Sequence, residues 1–132
     1  MANLYFKNYL NADAVVYIPM TDKALRKRGY NQSKILAEEF CKITGLELID
    51  CVVKVKETSR QATLNREQRQ RNLKSAYRVI NRKLVRGKKI VIIDDVTTTG
   101  ATAETVADRL KRAKAKAVFL ISVASVSPKD GY

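Results

Sequence analysis

The sequence predicts an α/β fold of the mostly parallel, twisted-sheet kind, flanked by helices, and three observations carry that prediction. Short apolar runs of strand length alternate with amphipathic stretches of helix length. One run, "KIVIID", is continuously aliphatic, as a strand covered on both faces must be. It ends in two adjacent carboxylates followed by a Thr/Gly turn, and in parallel sheets ligands sit beyond such strand ends.

In chain order, "AVVYIP", 14–19, reads as a buried strand stopped by Pro19. "NQSKILAEEFCKITG" reads as a helix capped by Asn31 and ended by Gly45, with Ile35, Leu36, Phe40 and Ile43 as its apolar stripe. "LIDCVVKV", 48–55, is a second strand. The polar, basic "TSRQATLNREQRQRNLKSAY" suits a loop leading into a short helix. "ATAETVADRLKRA" is a helix with Val106 and Leu110 four apart, and "AVFLISVAS" is a further buried strand. Gly29 suits a tight turn or a close backbone approach, and Tyr30 suits packing at a helix start. Asn72 suits a helix cap, and Lys111 to Lys116 a solvated helix end.

Length and composition narrow the class. The 132 residues, 45% of them hydrophobic, fit one domain with a real core. No apolar run approaches the roughly 18 residues of a membrane span, so membrane insertion is not expected. Cys41 and Cys51 have no metal-site spacing and read as reduced residues of a cytoplasmic protein. With no histidine in the chain, any catalysis uses carboxylates, Lys, Arg, hydroxyls or positioning alone. The net charge is +13, and +11 of it lies between Lys54 and Lys89, where only Glu57 and Glu67 are acidic. That concentration predicts an anionic partner, set against the simpler reading of a solvated basic face.

Asp94 and Asp95 could bind a metal, exchange protons or accept hydrogen bonds from a diol. The residues that follow decide among these. Thr97, Thr98, Thr99, Gly100, Ala101 and Thr102 open a helix. A glycine-permitted turn there aims successive N–H groups at one point, at the positive end of the helix dipole, and threonine hydroxyls add donors. A phosphate cradle next to a carboxylate pair suits a phosphorylated pentose. A P-loop GxxxxGK[ST] and a GxGxxG fingerprint are both absent. A receiver-type acid pair would stand earlier in the chain, and a bare helix cap would need no acids before it.

"VIIDDVTTTGAT" resembles the phosphoribosyl pyrophosphate (PRPP) motif of type I phosphoribosyltransferases, a hydrophobic strand, two acids and a T-x-[TS]-G-x-T loop. "RKRGYNQSKILAEEF" resembles the R-x-R-G-[FY]-N-Q-x-x-x-L-A pattern of the ComF-type, competence-associated branch. "TSRQATLNREQRQRNLKSAYRV" resembles that branch's T-x-x-Q-x-x-L-x-x-x-x-R-x-x-N segment. The resemblance implies a type I phosphoribosyltransferase-like fold over residues 1–132 as a single domain. The zinc-binding cysteine segment usual ahead of the first strand has no counterpart in these residues. It implies that Asp94 and Asp95, as catalytic residues, accept hydrogen bonds from the ribose hydroxyls of PRPP. It implies that Thr97 to Thr102 hold the 5′-phosphate, and that Arg26, Arg28 and Gly29 lie by the pyrophosphate. The 58–72 segment becomes a closing hood whose Arg60, Arg66, Arg69 and Arg71 meet that pyrophosphate. Mg²⁺ would travel with the pyrophosphate, held by substrate oxygens and water with no direct protein ligand.

The implied activity is phosphoribosyl transfer to an unidentified acceptor with release of pyrophosphate, linked to competence and DNA uptake. Two alternatives stay open. One is a PRPP- or nucleotide-binding module acting through competence-protein partners, without turnover. The other is direct DNA binding through residues 54–89. A homodimer is compatible with either.

Overall fold

The computed structural model describes residues 11–58, 65–96 and 100–124. Strand β1 (Ala14–Tyr17) is followed by helices α1 (Asp22–Arg28) and α2 (Gln32–Thr44) and strand β2 (Glu47–Leu48). Strand β3 (Val52–Lys54), helix α3 (Arg66–Ala76) and strand β4 (Tyr77–Val79) come next, then a 3-10 turn (Arg82–Leu84). Strand β5 (Lys89–Val96), helix α4 (Ala101–Arg112) and strand β6 (Ala117–Ala124) complete the described chain.

Four strands form a parallel sheet in the order β2-β1-β5-β6. Chain order runs outward in one direction from β1 to β2 and in the other from β5 to β6. The reversal lies between β1 and β5, and in such sheets the ligand crevice lies beyond the C-terminal ends of those two strands. β3 and β4 form a separate antiparallel ribbon.

The alternation of side chains along the strands divides the core in two. Val15, Tyr17, Val91, Ile93 and Ile121 pack with Ala37 and Phe40 of α2. Ala14, Val16, Ile90 and Ile92 pack with Val106 and Leu110 of α4, and with Tyr77 and Val85. A fully buried side chain of the Ile or Phe class contributes about 1.5–3 kcal/mol, so the aliphatic run of β5 anchors both layers at once.

Helices α1, α2 and α3 are each capped by their own sequence. The Thr21 hydroxyl accepts from Ala24 N at 3.1 Å to start α1. Gly29 ends α1 at φ 91°, its N–H donating to Leu25 O at 2.7 Å. Asn31 does two things: its Oδ1 accepts from Lys34 N at 3.3 Å, capping α2, and its Nδ2 donates to Ile18 O at 3.1 Å. The amide therefore fixes the start of α2 against the end of β1. Asn65 and Gln68 form a reciprocal capping box on α3.

Four expectations change. The 48–55 strand is two strands in two sheets, with a break at Ile49–Cys51 where Tyr17 Oη donates to Asp50 Oδ1 at 2.8 Å. The buried face of α2 is Ser33, Ala37 and Phe40; Ile35 and Ile43 are 48% and 58% exposed, because they lie off the arc that meets the sheet. β6 pairs only with β5 among the described residues, which leaves Leu120 exposed on an edge. Asn72 lies inside α3 and gives its carbonyl to Ser75 Oγ. The central position of β5 and the buried Val106/Leu110 pair agree with the sequence.

Candidate active site

β5 delivers Asp94 and Asp95 to the C-terminal edge of the sheet, beside the crevice. Asp94 is 9% exposed. Its Oδ1 accepts the Ser33 hydroxyl at 3.2 Å and the Asp95 backbone N–H at 2.9 Å. Ser33 stands in the first turn of α2, so this bond ties the helix that follows the β1 loop to the strand that carries the acids. Burial first, and then the neighbouring Asp95 carboxyl, hold the Asp94 carboxyl above its ordinary range, while the two donors pull the other way.

The turn into α4 opens at Gly100, whose φ of 76° places it in the left-handed region. Glu104 N donates to Gly100 O at 2.9 Å, and Thr105 Oγ donates to Ala101 O at 2.9 Å. No side chain caps α4, so its first N–H groups have no capping oxygen from the helix's own N-cap residue. Thr102 is hydrogen-bonded to the hydroxyl of Tyr77, which is buried at the start of β4. Burial raises the Tyr77 phenol above its usual range, and the Thr102 bond opposes that rise. The first turn of α4 is thereby attached to the ribbon. Thr97, Thr98 and Thr99 lie outside the described residues.

The cationic candidates are less tightly arranged. Arg26 and Arg28 are exposed on α1, and Gly29 closes that helix toward the crevice loop. The Arg28 guanidinium lies 5.1 Å from the ring centre of Tyr30, which is half exposed and does not pack on the sheet. Arg66, Arg69 and Arg71 are exposed on α3, and none forms an ion pair with a described acid. Arg60 lies outside the described residues. The structure brings Asp94, Asp95, Ser33, Gly100 and Thr102 into one framework and leaves the arginines on its surface.

A groove of about 960 Å³ lies away from the acid pair. It runs on the other side of the β1 loop, from Gly29 and Tyr30 past Leu25 and Ile35 to Val55 of the ribbon. Its charges are mixed, Lys34 and Lys54 against Glu38 and Glu57, so it has no strong preference for an anion. The acid pair and the start of α4 are the better candidate for chemistry, because they combine a desolvated charge with the positive end of a helix dipole.

Sequence reasoning missed Ser33 and Tyr77. Ser33 falls inside a recognisable motif, but nothing local shows that it reaches a residue 61 positions away. Ser122 was missed too. It lies opposite Asp94 in the β5–β6 register, and its buried hydroxyl has no partner among the described residues. The two cysteines are free, and burial pushes the Cys51 thiol up to about 11, so it stays protonated and unreactive.

Comparison with known proteins fits this geometry. The family model described as "Phosphoribosyl transferase domain" matches residues 24–131. The chain belongs to that family. It is 35% identical over 107 residues to the DNA utilization protein YhgH of Escherichia coli K12, covering 80% of this chain and 46% of that one. It is 28% identical over 102 residues to Competence protein F of Haemophilus influenzae, covering 76% and 44%. These relatives place it in the ComF-type branch of phosphoribosyltransferase-like proteins. The chain spans less than half the length of the curated relatives it matches.

Among solved structures, the allosteric regulatory enzyme of purine biosynthesis superposes with a TM-score of 0.62 at 20% identity, covering 92% of this chain and 24% of that one. The purine phosphoribosyltransferase of Pyrococcus horikoshii gives 0.56 at 19%, covering 97% and 73%. The type I phosphoribosyltransferase fold follows from these. Among the described residues, no helix is long and apolar enough to cross a membrane.

Proposed function

We propose that this phosphoribosyltransferase domain binds PRPP at the C-terminal edge of its sheet and transfers the phosphoribosyl group to an acceptor, releasing pyrophosphate. The observation that carries the reading is the placement of buried Asp94 and half-buried Asp95 at the end of β5, five residues ahead of the helix that opens at Gly100. A ribose bearing vicinal hydroxyls and a 5′-phosphate matches that order: diol on Asp94 and Asp95, phosphate on the N-terminus of α4 and Thr97 to Thr102.

The charges suit the reaction. As the bond from ribose C1 to the diphosphate oxygen breaks, its electron pair leaves with pyrophosphate and positive charge grows on the ring. The lone pair of the acceptor then forms the new bond to C1. Asp94 orients the ring, and its desolvated carboxylate interacts with the growing positive charge more strongly than a hydrated one would. Arg60, Arg66, Arg69 and Arg71, closing with the ribbon, would meet the departing anion and exclude water. Mg²⁺ would be held chiefly by diphosphate oxygens and water beside the acid pair, where it would offset the charge of the leaving group. The relatives' names, DNA utilization protein and Competence protein F, support a role in DNA use and competence.

Calorimetry of the whole chain with PRPP and Mg²⁺ tests the reading. Binding heat is expected, with at least a tenfold loss of affinity in Asp95→Asn. No heat, or an unchanged affinity in the variant, removes the site assignment. Binding without pyrophosphate release across a panel of nucleophilic acceptors would instead leave a PRPP-binding module without turnover.

A further inference from the structure

A second groove, of about 710 Å³, lies along α4 and β4, and its cations stand toward the end of α4 away from the proposed PRPP site. Arg78 and Arg82 come from one wall; Arg109, Arg112 and Lys114 come from the other. No carboxylate lines it. The basic residues at the end of α4 complement the helix dipole, which accounts for one wall. It does not account for Arg78 and Arg82, which belong to β4 and the 3-10 turn and face the same space.

Position separates these cations from the acid pair. Gly87 N donates to Lys114 O at 2.8 Å, and Lys116 N to Lys88 O at 2.8 Å, so Lys114 sits where β5 and β6 begin. Asp94 stands near the other end of β5. The length of α4 from Ala101 to Arg112 is roughly 17 Å at 1.5 Å per residue. Arg112 and Lys114, at that distance, cannot grip a phosphate held at the cradle.

The chemistry of the groove selects its ligand. Arg78, Arg82 and Lys114 have no acidic partner among the described residues, and all three are exposed. Arg112 is shared with Asp108, Nε to Oδ2 at 2.9 Å, and Arg109 donates from Nε to Lys74 O at 3.0 Å. Exposed cations hold a single small anion weakly, because each pair is screened by water and salt. They act together only on a ligand carrying several phosphates along an open groove. No exposed aromatic ring lines the groove for stacking (Tyr77 is buried), and no Asn or Gln is there to read base edges.

We propose that this groove binds the phosphodiester backbone of nucleic acid, independently of base sequence, at the pole opposite the phosphate cradle. The two sites can then be filled together, and the proposal does not depend on PRPP turnover.

Fluorescence anisotropy with labelled mixed-sequence oligonucleotides, single- and double-stranded, tests this on the whole chain. The triple substitution Arg78→Ala, Arg82→Ala, Lys114→Ala is expected to weaken binding at least tenfold near 0.1 M salt. It should lower the salt slope by about 2 to 3, since each lost phosphate contact removes about 0.7–0.9. These exposed positions leave the fold intact, which an unchanged thermal midpoint verifies. The hood triple Arg66→Ala, Arg69→Ala, Arg71→Ala should weaken it less, and saturating PRPP with Mg²⁺ should not displace the oligonucleotide. Displacement by PRPP, equal or greater loss in the hood triple, or preference for inorganic polyphosphate with no oligonucleotide binding would each overturn the assignment.

Discussion

The two ends of α4 are chemically opposite. At its N-terminus the dipole is positive, the N-cap residue is a glycine with no side chain to cap the helix, and the neighbouring charges are carboxylates. At its C-terminus the dipole is negative and Arg109, Lys111 and Arg112 offset it. Two aspartates report the difference. Asp94, buried near the first end, is held above its usual range by desolvation. Asp108, exposed near the second, is held below its usual range by the Arg112 hydrogen bond. The first end combines the positive pole of the dipole with a desolvated charge, which suits a ligand. The second satisfies its own carbonyls and leaves spare cations outward, which suits only a loose, multiply charged partner.

The sharpest way to break this contrast is at Gly100. Gly100→Val forces a β-branched residue into the left-handed region, at a cost of about 1–3 kcal/mol. The thermal midpoint should fall by several degrees, and PRPP affinity should drop at least tenfold, read by calorimetry on the folded fraction. Oligonucleotide affinity should hold, because the other end of the helix is untouched.

Asp94→Asn should separate stability from binding. The folded-state pKa of Asp94 is raised, so the folded protein holds this proton more tightly than the unfolded chain. The stabilisation is complete below the ordinary value of 3.8 and is lost as pH rises through the folded pKa. At neutral pH the ionised carboxylate therefore works against the fold. Removing its charge should raise the thermal midpoint by a few degrees while weakening PRPP binding roughly tenfold or more. A lowered midpoint at pH 7 would contradict the sign of the shift.

Ser33→Ala sharpens the same point more gently. The Ser33 hydroxyl favours ionised Asp94, so its loss should push the Asp94 pKa further up. PRPP binding should weaken with falling pH from a higher starting point than in the parent protein, and calorimetry across pH 4–7 would detect the shift. Arg112→Ala should have the smallest effect. Its partner is depressed in pKa, so the pair helps above pH 3.8 and fades as acid protonates Asp108. An exposed pair of this kind contributes about 0.2–1 kcal/mol, visible only as a shift of a degree or two in melting at neutral pH.

Much of the proposed PRPP edge was legible because its signals are local. A run of Ile and Val ending in two acids specifies a buried strand and its polar terminus. A glycine ahead of an amphipathic run specifies the turn and the helix. Asn31 was readable as a cap for the same reason, since it acts within three residues of itself. The face of α2 was not readable, because Ser33 rather than Ile35 is buried only once β1 and β5 fix which arc meets the sheet. The division of 48–55 was equally hidden. Its apolar residues satisfy either one strand or two, and the Tyr17–Asp50 bond that marks the break spans 33 positions.

By itself the sequence determined the donor side of the proposed site: which strand, which acids, which turn, and a surplus of positive charge in one segment. Those are properties of neighbouring residues, set by burial, backbone conformation and composition. Tertiary structure decided what distant residues do to each other. It desolvated Asp94 and supplied Ser33 to hold it, attached Thr102 to the ribbon through Tyr77, and placed Arg78 and Arg82 opposite Arg112 and Lys114. Charge in a sequence has a sign but no direction. Only the packing of α4 against β4 gives those cations a shared groove away from the acids.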